Sequence, residues 1–277
     1  MAKKQEKARS YSLRSLLVER GFCETDREAE RWIMAGKVLV NGQRVDKTGA
    51  SIPTNAELRL IGRQRYASRG GYKLAAALDY FQVDVTDRVV IDCGASTGGF
   101  TDCLLQRGAK LVYAVDAGFG QLLGRLQQHP RVRNLERTNL SDVAALVLDP
   151  PPNLISLDLS YLSLTKALPI AAHVLSEGEV LALFKPLFEV GSANARRTGK
   201  IDDPQLLVEA LQRVFEAGRH AGLFPIDAAR LALQPKHGVN EFFLRFTRQP
   251  AAPSRNCEGT ALLDLIESAG IGSTEED

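Results

Sequence analysis

Four residues have the types and the placement to activate a hydroxyl group: Lys73, Asp158, Lys185 and Glu241. Asp158 closes the apolar run Leu154-Ile-Ser-Leu, Lys185 closes Val180-Leu-Ala-Leu-Phe, and Glu241 opens the run Phe242-Phe-Leu-Arg-Phe246. In an open α/β sheet, charges at the ends of buried strands gather over one crevice. A hydroxyl is a poor nucleophile at neutral pH, so it needs a general base or nearby positive charge to stabilise the developing alkoxide. Lys185 is the direct partner in this reading. A like charge from Lys73 favours a neutral amine there, whereas Asp158 and Glu241 favour the ammonium and hold both lysines in place.

The hydroxyl needs an electrophile, and a fifth feature points to its carrier. Asp92-Cys-Gly-Ala-Ser-Thr-Gly-Gly-Phe100 follows the β-branched run Arg88-Val-Val-Ile91 and leads into Thr101-Asp-Cys-Leu-Leu105. Strand, glycine turn and helix bring backbone N–H groups against a nucleotide-like ligand. The pattern is not the dinucleotide fingerprint, because Ser96 stands at its second glycine position. Asp116, at the end of Leu111-Val-Tyr-Ala-Val, fits a dinucleotide and S-adenosylmethionine alike, since a carboxylate there accepts hydrogen bonds from the ribose hydroxyls of either. Together these residues point to methyl transfer from S-adenosylmethionine onto a ribose. The cofactor set so read is Asp92, Gly94, Ala95, Ser96, Thr97, Gly98, Gly99, Phe100, Asp116 and Asp158.

The elements that must position these residues are legible as a pattern. Apolar runs near 88–93, 111–116, 132–136, 154–159 and 179–184 alternate with helical stretches, notably 204–218, which implies a parallel, doubly wound sheet. The runs at 226–233 and 241–246 have no helix between them and read as an antiparallel hairpin at the sheet edge. Leu74, Ala77, Leu78 and Phe81 form the stripe of an amphipathic helix ahead of the first strand.

The front of the chain is different. Leu13, Leu16 and Leu17 give a helical stripe that ends at Gly21. A second helix, capped by Asp26, runs through Ala29, Trp32 and Ile33 to a stop at Gly36. Lys37-Val-Leu-Val-Asn-Gly-Gln-Arg-Val45 is a hairpin turning at Asn41-Gly42. Residues 1–65 hold 14 Lys/Arg against 8 Asp/Glu, while residues 249–277 hold one Arg against six acids. A basic front end suits a polyanionic partner. Residues 1–10 read as a disordered tail, 11–61 as the small α+β module, 62–69 as a linker, 70–248 as the catalytic domain and 249–277 as a mobile acidic tail.

Composition bounds the rest. A chain of 277 residues, 44% hydrophobic and 25% charged, suits one large domain and a small one. Cys23, Cys93, Cys103 and Cys257 make no C-x-x-C pair, so neither a zinc site nor a disulfide framework is expected, and a reducing compartment fits. The polar N-terminus carries no signal-peptide core. No apolar stretch approaches the roughly 18 residues that span a bilayer. The expectation is a cytoplasmic protein with no metal and no membrane partner. The residues define no oligomeric state.

Two resemblances sharpen this reading. Asp26-Arg-Glu-Ala29 through Ile33-Met-Ala-Gly-Lys-Val-Leu-Val-Asn-Gly42 resembles the S4 RNA-binding domain. This chain has Ser12-Leu-Arg14 where the S4 pattern usually has Arg-Leu-Asp, and Asp26-Arg27 where it has Ser-Arg. The order Lys73, Asp158, Lys185, Glu241 resembles the K-D-K-E set of FtsJ-like ribose 2′-O-methyltransferases. The wider chain is similar to the TlyA family of rRNA cytidine-2′-O-methyltransferases, historically called haemolysins. The similarity lies in Ser68-Arg-Gly-Gly-Tyr-Lys73-Leu, the glycine motif through Gly108, Glu136-Arg-Thr-Asn139, Asp158-Leu-Ser-Tyr-Leu-Ser-Leu164 and Lys185-Pro-Leu-Phe-Glu189. Leu187 replaces the family's usual Gln, and Gly238-Val-Asn240-Glu241 replaces its Gly-Asn-x-Glu.

The resemblance implies a Rossmann-like methyltransferase domain, S-adenosylmethionine as cofactor, and ribosomal RNA or ribosomal subunits as partner. The basic residues of the front module and linker, Arg27, Arg31, Lys37, Arg44, Arg65 and Arg69, are the expected RNA contacts, and the resemblance adds Asn139 to the cofactor set. Three other readings compete. A nicotinamide-dependent oxidoreductase is disfavoured by Ser96 and the tetrad. A non-catalytic RNA-binding or assembly factor with a vestigial pocket is disfavoured by the intact tetrad. A cytolysin is disfavoured because the sequence offers no membrane-spanning segment and no amphipathic segment of the membrane-surface kind.

Overall fold

The structure, a computed structural model, describes residues 10–23, 25–62, 64–201, 203–232, 240–250, 252–253, 257–258 and 261–268. Most of the expected disordered tail (1–9), the end of the 226–233 strand, Gly238 and the last nine residues lie outside these. The chain divides into two compact units between Arg65 and Tyr66, within the segment read as a linker.

The smaller unit runs β1 (Ser10–Ser12), α1 (Leu13–Glu19), α2 (Asp26–Met34), β2 (Val38–Val40), β3 (Gln43–Arg44), β4 (Ser51–Pro53) and β5 (Leu58–Leu60). The hairpin turns at Asn41-Gly42, both with positive φ, as the Asn-Gly signal requires. β5 completes a three-stranded sheet with β2 and β3, and β1 pairs with β4. The stripe of Leu13, Leu16 and Leu17 packs with Ala29, Ile33, Val38 and Leu58 into a core of its own. The α2 cap differs from expectation. Thr25, not Asp26, accepts from the Glu28 N–H. Asp26 lies inside the first turn, where a carboxylate favours the positive end of the helix dipole.

The larger unit begins with α3 (Arg69–Tyr80), then β6 (Val89–Cys93), α4 (Gly99–Gln106), β7 (Leu111–Asp116), α5 (Gly124–Gln127) and β8 (Val132–Glu136). It continues with α6 (Leu140–Val143), β9 (Leu154–Leu157), α7 (Leu164–Val174), β10 (Glu179–Phe184), α8 (Pro186–Glu189) and α9 (Ala193–Thr198). α10 (Pro204–His220), β11 (Phe224–Arg230), β12 (Phe242–Thr247) and α11 (Ala261–Glu267) close it. The sheet order is β11-β12-β10-β9-β6-β7-β8. The strands from β6 to β10 are mutually parallel, and β12 runs antiparallel to both β10 and β11. β6, β9 and β10 are buried along nearly their whole lengths, as a sheet covered on both faces demands.

Two elements depart from the sequence reading. α3 starts at Arg69, inside the presumed linker, because the Ser68 side chain caps it by accepting from the Gly70 N–H. Part of the presumed mobile tail is also packed. α11 buries Leu262 and Leu265 in the larger core, and the Ile266 carbonyl accepts from Arg230 at 2.8 Å.

Candidate active site

The site forms along one edge of the larger sheet. Reading across β12, β10, β9, β6 and β7, the strand ends carry Glu241, Lys185, Asp158, the glycine turn and Asp116. Strand register fixes this row. Phe184 pairs with Phe242, which sets Glu241 beside Lys185 although one strand is leaving the sheet and the other entering it. Cys93 pairs with Leu157, which sets Gly94 beside Asp158, and the Asp158 N–H donates to the Cys93 carbonyl at 2.9 Å.

The four charged residues resolve into two ion pairs. Lys185 Nζ stands 2.5 Å from Asp158 Oδ1 and donates to Ser160 Oγ at 2.9 Å. Lys73 pairs with Glu241. All four side chains keep between 16% and 25% of their surface accessible, so they are partly desolvated yet reachable. Lys73 gets there because α3 packs on α4. A Cβ at Gly99 would meet Ser68 Oγ at 2.1 Å and Gly71 N at 3.0 Å, so glycine alone permits this crossing.

The glycine turn sits against Asp158. Gly94 has φ +86°, and a Cβ there would come 2.4 Å from the Asp158 carbonyl oxygen. The Gly94 and Ala95 N–H groups donate to the Val115 carbonyl, while Ser96 and Thr97 are exposed at the tip. Gly98, with φ +97°, is the N-cap of α4. Asp116 Oδ2 accepts from the Ser96 N–H and Oδ1 from the Gly118 N–H, each at 2.7 Å. A carboxylate has about four acceptor positions, so two remain for hydroxyl groups of a ligand. Asn139 is the N-cap of α6, its N–H donating to Asp142 Oδ2 at 2.8 Å.

Two residues of the expected cofactor set stand behind the turn. Asp92 is fully buried, and its carboxylate accepts from Thr101 Oγ1 at 2.6 Å and Ser156 Oγ at 3.2 Å. Burial pushes its carboxyl up to about 7, with the charge of Asp158 adding to the shift and the two hydroxyls opposing it. Phe100 is buried and stacks on Phe243, with ring centroids 5.9 Å apart. Both therefore support the turn from beneath.

Sequence reasoning missed several positioning groups. Ser160 and Tyr161 belong to the loop after β9, and the Tyr161 hydroxyl accepts from the Leu140 N–H at 3.3 Å. Burial raises the pKa of that phenol. Asp102 Oδ2 accepts from the Ala67 N–H at 2.8 Å and from Arg125 at 2.7 Å, which ties the segment before α3 to α4. The only signal for these was their presence in the quoted motifs, since polar residues in loops carry no periodicity.

In the smaller unit Arg27, Arg31, Lys37 and Arg44 are all exposed on α2 and the hairpin. The Lys37 ammonium lies 5.7 Å from the centre of the Trp32 ring. Arg65 and Arg69 are exposed on either side of the division between the units. Among the described residues no helix is long and apolar enough to cross a membrane.

Comparison with known proteins agrees with this geometry. Residues 66–244 match the FtsJ-like methyltransferase family, and residues 13–58 match the S4 domain. A Mycobacterium tuberculosis protein named 16S/23S rRNA (cytidine-2′-O)-methyltransferase TlyA is 35% identical over 86% of this chain and 90% of its own length. Hemolysin A of Brachyspira hyodysenteriae is 36% identical over 72% of this chain and 85% of its own. A solved structure from Streptococcus thermophilus, described as a candidate hemolysin, is 35% identical with a TM-score of 0.67, covering 95% of this chain and 96% of that one. With a strand-end tetrad beside a glycine turn and matches across both units, this chain belongs to the FtsJ-like methyltransferases, in the S4-bearing TlyA family.

Proposed function

We propose that this chain methylates the ribose 2′ hydroxyl of a cytidine in ribosomal RNA, using S-adenosylmethionine, with the smaller unit docking the RNA. The observation that carries the reading is the unbroken row of Asp116, glycine turn, Asp158, Lys185 and Glu241 along five neighbouring strand ends. A nucleoside sulfonium fits one half of that row. The turn has no room for a Cβ at Gly94, exposes Ser96 and Thr97, and is flanked by a carboxylate with two acceptor positions left.

The bound cofactor supplies an electrophilic methyl group on sulfur. Gly94, Ser96 and Asp116 would hold its nucleoside end. On the other half of the row, Lys185 faces the incoming hydroxyl, and its ammonium stabilises the oxygen as negative charge develops. Bound S-adenosylmethionine would offer its methyl carbon to that oxygen, with the sulfur as leaving group and the hydroxyl proton released to solvent. Asp158 and Ser160 fix Lys185, and Glu241 fixes Lys73 as a second positive group. Much of the acceleration comes from holding hydroxyl and methyl in line, an effect worth about 7–11 kcal/mol.

Incubation with methyl-labelled S-adenosylmethionine and purified ribosomal subunits tests the proposal. Nucleoside analysis of the RNA should return labelled 2′-O-methylcytidine. Label only on a base or on protein would refute it. Calorimetric binding of a nicotinamide dinucleotide in place of S-adenosylmethionine would refute the cofactor.

A further inference from the structure

Phe188 stands three residues beyond Lys185 and exposes 53% of its surface. Its N–H donates to the Lys185 carbonyl at 2.9 Å, so the ring rides on the same turn as the catalytic lysine. That turn is fixed. The carboxylate of the next residue, Glu189, accepts from Ser163 Oγ at 2.7 Å and the Leu164 N–H at 2.8 Å. The Glu189 carbonyl accepts from Arg213 at 3.2 Å. A phenyl ring held on a braced turn and facing water is a preformed platform rather than a flexible surface group.

Beside the ring, α9 brings two exposed arginines. Leu187, Phe188, Arg196, Arg197, Thr198 and Gly199 line a cavity of about 470 Å³, with no acid among the described lining residues. Arg197 spends one N–H on Asn194 Oδ1 at 2.9 Å, and Arg196 makes one long bond of 3.5 Å to the Gly191 carbonyl. A guanidinium carries five N–H groups, so most of their donor capacity remains.

We propose that this cavity holds a nucleotide flanking the methylated ribose, its base stacked on Phe188 and its phosphate held by Arg196 and Arg197. The inference rests on the RNA methyltransferase reading above. An aromatic face next to paired guanidinium groups matches one chemistry, a planar base joined to an anionic phosphate. Stacking of this kind is worth about 1–3 kcal/mol per base and tolerates any base. The site thus grips the strand next to the reacting hydroxyl without reading its sequence.

The test uses the full-length protein, ribosomal subunits lacking the modification, and three variants. Phe188→Ala should lower kcat/KM for subunits about tenfold, mainly through KM, the low end of the stacking range. Phe188→Trp should stay within about threefold of wild type, since the larger ring keeps the stacking face. The Arg196→Glu/Arg197→Glu double variant should raise KM and flatten its dependence on salt. Phe188→Trp also supplies a reporter, because the chain has a single native tryptophan, Trp32. A short single-stranded oligoribonucleotide should quench the introduced indole, and the arginine reversals should abolish that quenching. Unchanged kcat/KM in Phe188→Ala, or equal losses in Phe188→Ala and Phe188→Trp, would overturn the proposal. So would a loss on subunits without quenching by the oligoribonucleotide, which would place a protein on the site. Failure of the wild type to methylate subunits would instead remove the function on which the inference rests.

Discussion

Lys73 and Glu241 form an ion pair across 168 residues of sequence, one from a helix ahead of the first sheet strand and the other from the mouth of the last strand described. Between them they close the row of strand-end charges, since Lys185 and Asp158 already satisfy each other on the neighbouring strands. The site therefore depends on a helix crossing and on an antiparallel register at once. Disturbing either should reach the chemistry without touching the cofactor turn.

Replacing Lys73 or Lys185 by Ala should lower kcat by about 100-fold or more, the usual scale of a positioned acid–base or charged group. S-adenosylmethionine affinity, measured by calorimetry, should stay within about threefold. Groups that act as a unit lose activity once, so the Lys73→Ala/Lys185→Ala double variant should be scarcely slower than Lys185→Ala. Additive losses in initial rates would show that the two lysines act independently.

Asp92 makes stability depend on pH. Its carboxyl is pushed up to about 7 from 3.8 by burial, so the folded state holds a proton that the unfolded chain releases. Its stabilising contribution is full below about 3.8 and is lost as pH rises through about 7, at roughly 1.4 kcal/mol per pH unit. Asp92→Asn removes that titration. Denaturant unfolding near pH 5 and near pH 8 should show the variant gaining on wild type at the higher pH. A wild-type-minus-variant difference that is the same at both values contradicts the assignment.

Gly94→Ala places a methyl group 2.4 Å from the Asp158 carbonyl oxygen at a φ of +86°. The strain of a side chain in that region costs about 1–2 kcal/mol, before any clash is counted. The variant should bind S-adenosylmethionine at least tenfold more weakly in calorimetry while keeping a cooperative unfolding transition. Wild-type affinity would mean that the turn does not touch the cofactor.

Binding through the smaller unit should be electrostatic. Arg31 and Lys37 are exposed at the junction of α2 and the hairpin, so Arg31→Glu/Lys37→Glu should weaken rRNA binding and reduce the slope of log affinity against log salt. The S-adenosylmethionine affinity should not move. An unchanged salt slope would argue that this face carries no phosphate contact.

Much of this was legible in the sequence because its signals were periodic. The runs at 111–116, 132–136 and 179–184 coincide with β7, β8 and β10. The row of strand-end residues followed from the general placement of ligands in such sheets. What escaped was set by tertiary neighbours. Nothing in the order of residues says that Lys73 meets Glu241 rather than Asp158, because that choice is made by the α3–α4 crossing at Gly71 and Gly99. Asp92 and Phe100 sit in a cofactor motif yet are buried, because Thr101, Ser156 and Phe243 arrive from other elements. The cap at Thr25 was missed because Asp26 beside it also fits a helix start, and the cap at Ser68 because the basic residues and the Gly70-Gly71 pair around it read as a linker.

Lys185 and its partners are proposed to activate a ribose 2′ hydroxyl. A 2′-O-methyl group blocks alkaline cleavage of the adjoining phosphodiester, so the direct measurement is alkaline hydrolysis of rRNA labelled from methyl-tritiated S-adenosylmethionine. With wild-type protein the label should be recovered in alkali-stable dinucleotides, and with Lys185→Ala almost none should be incorporated. Label in single nucleotides, or undiminished label with Lys185→Ala, would rule out this role.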